Sequence, residues 1–143
     1  MNIIVAGSRT FNDYEFLRSK LDFYFSNRGK AIQIICGEAE GADQLGKRYA
    51  IEKGYNVLSF PDQSEIFGSF AKFKRNREMA RAADGLVAFW DGESKGTAQL
   101  IQVMKETGKP IRIVYYKEAS SHKDDQNSGY MNMDSPDYQY FDA

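Results

Sequence analysis

Ile3-Ile4-Val5-Ala6-Gly7-Ser8-Arg9-Thr10 is the stretch whose reading decides the fold. Three β-branched residues and an alanine in an unbroken apolar run describe a strand buried on both faces, the kind found inside a parallel sheet. The run stops at Gly7, which lets the chain turn tightly. Ser8, Arg9 and Thr10 follow with donors suited to phosphate oxygens. The start of the chain, Met1-Asn2, leads straight into this strand and has none of the layout of a signal peptide.

The pattern repeats outward from there. Residues 13–28 place Leu17, Leu21, Tyr24 and Phe25 on one helical face. Residues 32–36 form a second strand ending at Gly37. Residues 41–53 form a helix with Ala42, Leu45, Tyr49 and Ala50 inward, stopped by Gly54. Residues 55–60 make a third strand, closed by Pro61, and a loop leads to a basic helix at 70–83. The nearly all-apolar run 86–90 reads as a central strand. A helix over 97–107 ends at Gly108-Lys109-Pro110, and residues 111–115 form a fifth strand whose Arg112 marks an edge position. Alternating strands and helices with apolar strands predict an α/β fold: a doubly wound, mostly parallel, five-stranded Rossmann-like sheet with helices on both faces.

At 143 residues, 42% apolar and 27% charged, the composition is that of an ordinary globular domain with no run long enough for a membrane span. The regular pattern ends at Lys117, so 1–117 is read as one domain and 118–143 as an acidic polar linker with an aromatic tail. Charge divides the same way: residues 1–117 carry +4 and residues 118–143 carry −5. The single cysteine, Cys36, rules out an internal disulfide and fits a reducing cytoplasm. The single histidine, His122, lies in the polar stretch, which disfavours a histidine-based triad or metal site. No cofactor and no metal is implied.

In an open parallel sheet, ligands sit beyond the carboxyl ends of the strands, where the strand order reverses. Three loops meet that edge: Gly7-Ser8-Arg9-Thr10; Gly37-Glu38-Ala39-Glu40-Gly41-Ala42-Asp43; and Asp91-Gly92-Glu93-Ser94-Lys95-Gly96-Thr97, which opens a helix. No loop is a dinucleotide fingerprint or a Walker loop, so a standard NAD or ATP site is disfavoured. The basic helix adds Arg75 and Asn76. An Asn on a face shared with Phe73, Ala80 and Ala83 needs hydrogen-bond partners.

Gly7-Ser8-Arg9, Gly37-x-x-x-Gly41-Ala42-Asp43, Arg75-Asn76-x-x-Met79, Ala83-Asp84 and Phe89-Trp90-Asp91-Gly92-x-x-x-Gly96-Thr97 together resemble the YspA/YpsA-related branch of the SLOG superfamily. That resemblance implies a Rossmannoid domain for nucleotides or nucleotide-derived molecules. Its relatives include the Lonely Guy phosphoribohydrolases and DprA-like proteins that handle single-stranded DNA. In the phosphoribohydrolases a Glu stands three residues after the motif Thr; here that position is Leu100. Leucine can neither stabilise an oxocarbenium-like charge nor activate water. Lys72 replaces the family's small residue ahead of Arg75-Asn76.

The leading expectation is therefore a non-catalytic site for a nucleotide-like, phosphorylated small molecule. Ser8, Arg9, Gly96 and Thr97 hold phosphate. Asp43 orients its loop or accepts from a ribose hydroxyl, Arg75 pairs with phosphate, and Asn76 orients the ligand. Gly7, Thr10, Gly37, Gly41, Asp91 and Gly92 complete the set, with Trp90 read as core. The alternatives are an N-glycosidase on a nucleoside monophosphate, with Asp43, Glu38, Asp91 or Glu93 as substitute carboxylates, and single-stranded nucleic-acid binding through the 72–81 face. The modest charge of 1–117 makes nucleic acid an unlikely partner on this reading. No membrane contact is expected, and a homodimer is admissible.

Overall fold

The computed structural model describes residues 1–26, 31–61, 63–68 and 70–116. The expected linker and aromatic tail, and the last residues of the expected first helix, lie outside the described residues.

Five strands, β1 (Asn2–Gly7), β2 (Gln33–Cys36), β3 (Asn56–Ser59), β4 (Gly85–Trp90) and β5 (Ile111–Tyr115), form one sheet in the order β3-β2-β1-β4-β5. All four pairings are parallel. The chain steps outward from β1 to β3, then crosses back to β4, so the switch point lies between β1 and β4. Parallel pairing requires crossovers, and these are helical: α1 (Tyr14–Phe25), α2 (Ala42–Lys53), α3 (Ser64–Phe67) with α4 (Phe70–Ala82), and α5 (Lys95–Thr107).

Side chains alternate across each strand, so the central strands feed two cores. On one face Ile3, Val5, Ile34, Val87 and Phe89 meet Leu17 and Leu21 of α1 and Tyr49 and Ala50 of α2. On the other, Ile4, Ala6, Ile35, Leu86 and Ala88 meet Met79 and Ala80 of α4 and Leu100, Ile101 and Met104 of α5. The helix ends follow ordinary capping chemistry. Asp13 caps α1 by accepting from the Phe16 amide at 3.0 Å. Gly54 and Gly108 end α2 and α5 in left-handed conformation. Lys109 Nζ donates to the carbonyls of Ala80 and Ala83 at the end of α4, at 3.0 and 2.6 Å.

Three details differ from the sequence reading. A short helix, α3, precedes α4; four residues are too few to show periodicity. The fifth helix begins at Lys95 rather than Thr97. Arg112 does sit on an edge strand, but it is fully buried. It shares the α1 side of β5 with Val114, and its guanidinium lies 4.9 Å from the centre of the Tyr24 ring.

Candidate functional site

A cleft of about 550 Å³ opens at the carboxyl ends of β1 and β4, where the strand order reverses. This is within the size range of small-molecule sites, roughly 300–1,000 Å³. Nine of the thirteen residues chosen from the sequence line it: Gly7, Arg9, Thr10, Asp43, Arg75, Asn76, Asp91, Gly96 and Thr97.

The other four, Ser8, Gly37, Gly41 and Gly92, do not line the cleft but build it. Ser8 is 1% exposed, and its Oγ accepts from the Asp91 amide at 3.0 Å and from Ser94 Oγ at 2.9 Å. The expected phosphate ligand is thus a tie between the β1 and β4 loops. Gly41 has φ +76°, and a Cβ there would come within 2.3 Å of the Ser8 carbonyl oxygen. The start of α2 therefore lies directly against the β1 loop. A Cβ on Gly37 would lie 3.0 Å from an Asp43 oxygen and 3.1 Å from the Arg75 guanidinium carbon, so a bare α-carbon lets both side chains reach this point. Gly92, at φ +85°, turns the β4 loop beside the Tyr115 ring. Ala83-Asp84, another of the matched motifs, lies at the opposite end of the sheet, where Asp84 accepts from the Asn2 amide at 2.8 Å.

Asp91 acts through its own loop. It accepts from the amides of Glu93 and Ser94, each at 2.8 Å, closing a turn before α5. Burial pushes its carboxyl up, but these amides and the Ser94 hydroxyl outweigh that and hold it below the usual range. Ser94 stands at the N-cap of α5, yet its hydroxyl turns to Ser8 and Asp91 and gives the helix no side-chain cap. The first-turn residues Lys95, Gly96 and Thr97 accordingly present an uncapped helix N-terminus to the cleft.

Asp43 is 4% exposed, with one oxygen accepting from the amides of Gly37 (3.2 Å) and Ala39 (3.3 Å). Burial raises its carboxyl to about 6, against the opposing pull of the Ala39 amide and the Arg75 charge. Arg75 Nη1 donates to the Gly37 carbonyl at 2.9 Å. The partner required for Asn76 is Gln99, whose Oε1 accepts from Asn76 Nδ2 at 2.9 Å. Glu38 adopts φ +65°, unusual for a residue with a side chain. Hydrogen bonds from Ser59 and then Lys47 outweigh its partial burial and keep it ionised below the usual range. Of the substitute carboxylates, Glu38, Asp43 and Asp91 border the cleft and Glu93 does not.

Sequence reasoning did not choose Glu38, Ser94, Lys72, Lys95, Met79 or Leu100 as ligand-binding residues, and all six line the cleft. Helical spacing could have found Lys72 and Met79, since both lie within one turn of Arg75 and Asn76. Trp90 does not line it; its Nε1 donates to the Ser94 carbonyl at 3.0 Å, and its ring packs 5.5 Å from that of Tyr115. Among the described residues, no group of three or more His, Cys, Asp and Glu could hold a metal ion, and no helix is long and apolar enough to cross a membrane.

Fold and cleft define a Rossmann-like domain with its candidate site at the switch point of a five-stranded parallel sheet. Residues 1–64 match the family model described as the YspA, cpYpsA-related SLOG family, the family whose motifs the sequence resembles. That stretch holds the Gly7-Ser8-Arg9 and Gly41-Ala42-Asp43 loops; Arg75-Asn76 and Gly96-Thr97 lie beyond it. Comparison with curated proteins gives no match.

Among solved structures, DNA processing protein A (DprA) of Streptococcus pneumoniae is similar at TM-score 0.65 and 16% identity, over 84% of this chain and 52% of that one. The chain thus spans about half the length of that relative. DprA of Helicobacter pylori gives TM-score 0.58 and 18% identity over 83% and 67%, and TM1055 gives 0.56 and 21% over 77% and 71%. At these identities the likeness is one of fold. It nonetheless corrects one expectation. The Helicobacter pylori structure describes a single-stranded DNA binding mode, so the small charge of the body is no ground against a nucleic-acid partner. That charge is a sum over the surface, whereas strand binding depends on where the cations are clustered.

Proposed function

We propose that this domain binds a nucleotide-derived, phosphorylated small molecule in the switch-point cleft. The observation that carries this reading is the uncapped N-terminus of α5, opening into a cleft that Arg9, Lys72, Arg75 and Lys95 also border. Amides with no side-chain cap, a helix dipole and four cations suit an anion of phosphate geometry. Asp43, buried at the side, suits a hydroxyl or a ring nitrogen that donates.

Mass spectrometry of small molecules released on denaturing the purified protein identifies candidates, and thermal unfolding with each one tests them. A ligand at one hundred times its Kd stabilises the fold by about 2.7 kcal/mol. Arg9→Ala, an exposed change, leaves the unliganded midpoint in place and removes most of that gain. Equal stabilisation of wild type and Arg9→Ala would sink the site assignment.

Single-stranded nucleic acid is the second reading, favoured by the two DprA neighbours. It predicts an affinity falling steeply with salt as bound cations are released from the strand. Turnover is a third reading, supported by the raised carboxyl of Asp43 on the cleft wall. Against it, Leu100, at the position of the hydrolases' Glu, borders the cleft as a buried apolar residue. Base release from a panel of nucleoside monophosphates, lost in Asp43→Asn, is the result that would establish it.

A further inference from the structure

A second, smaller cavity of about 80 Å³ lies beyond the end of β3, walled by Phe60, Pro61 and Gln63 on one side and by α4 on the other. The two cavities share one residue, Arg75. Helix periodicity explains this. Lys72, Arg75, Asn76 and Met79 present one face of α4 to the main cleft, and Ala71, Lys74, Arg75 and Glu78 present the adjacent face to the smaller cavity. Arg75 stands on the ridge between them, with its Nη1 held by the Gly37 carbonyl at 2.9 Å. The anchored guanidinium is a positive charge at the boundary that the cavities share among the described residues.

The two linings differ in chemistry. The main cleft has room for a whole nucleotide and carries the helix N-terminus. The smaller cavity offers an apolar wall from Phe60 and Pro61 beside mixed donors and acceptors from Gln63, Lys74 and Glu78. A phosphate would meet Glu78 unfavourably. A heteroaromatic ring edge, which both donates and accepts, matches this set.

We infer that the site is bipartite and takes two phosphodiester-linked nucleotides: one in the cleft, the linking phosphate on Arg75, and part of the second nucleoside against Phe60, Gln63 and Lys74. This rests on the nucleotide reading of the main cleft. The same chemistry occurs in a free dinucleotide and within a single strand.

Calorimetric titration of the full chain with adenosine 5′-monophosphate, the linear dinucleotide pApA and a twelve-residue oligoadenylate tests it. The expected result is that pApA binds at least tenfold tighter than the monophosphate. Gln63→Ala and Lys74→Gln should each remove most of that advantage and leave monophosphate affinity within twofold. Lys72→Gln, on the cleft face of the same helix and with the same charge change, should weaken all three ligands. If pApA binds no tighter than the monophosphate, or Lys74→Gln and Lys72→Gln weaken both alike, the bipartite site is refuted while the cleft stands. If none of the three binds, the nucleotide reading of the cleft fails and this inference with it. Equal affinity for pApA and the oligomer identifies a free dinucleotide as sufficient; a further gain with the oligomer identifies a strand.

Discussion

Replacing Asp43 by Asn removes a carboxyl that the fold holds at about 6 against an ordinary 3.8, and the consequence is a change in how stability depends on pH. Between those two values the native state keeps its proton while the unfolded chain has lost it. The contribution of Asp43 to stability is therefore fully present below about pH 4 and is lost as pH rises through 6, by roughly 1.4 kcal/mol per pH unit, or about 3 kcal/mol in all. Asn cannot ionise, so this decline is absent from the variant, while every other titrating group is common to both proteins. The amide oxygen still accepts from Gly37 and Ala39, with weaker bonds than a carboxylate makes. Urea unfolding of both proteins at half-unit steps from pH 4 to 7.5 reads the difference directly. The stability of Asp43→Asn relative to wild type should climb by about 2.4 kcal/mol across the series, because at pH 4 the unfolded carboxyl is already more than half ionised. Parallel profiles, agreeing within about 0.5 kcal/mol throughout, would show that Asp43 does not titrate as its burial requires.

The scaffold of the site offers further tests. Gly41→Ala places a methyl group 2.3 Å from the Ser8 carbonyl oxygen in a conformation alanine avoids, and should cost more than about 3 kcal/mol in denaturant unfolding. Ser8→Ala breaks the tie to Asp91 and Ser94 and should cost about 1–3 kcal/mol, with faster hydrogen exchange of the Asp91 and Ser94 amides as its local signature. Gln99→Ala leaves the buried Asn76 amide group without its partner, for about 1–3 kcal/mol. Gln99→Glu, which keeps an acceptor, should recover most of that loss.

The sheet was legible because its signals are strong and local. An apolar run such as residues 86–90 fits little else, and Gly54 and Gly108 stop helices wherever a left-handed residue is needed. The site edge was legible for a topological reason, since a parallel sheet collects its loops at one end. What escaped was the division of labour within that edge. Ser8 and Arg9 are adjacent in sequence, yet one is buried as a tie and the other is exposed, and only the third dimension separates these roles. Arg112 marked the edge strand correctly, but a charge in an apolar strand does not show that a ring such as Tyr24 lies over it and that it is buried. Leu100 carried two meanings at once: core by periodicity, and cleft wall by its place in the first turns of α5.

The Ser8–Asp91–Ser94 tie has a kinetic corollary. It fastens the β1 loop to the loop before α5, so two walls of the cleft are tied to one another. A ligand arriving there meets donors already set on these two walls, with little entropy of the two loops to surrender. Association should then run at a rate that hardly changes among related ligands, and selectivity should reside in how long each one stays.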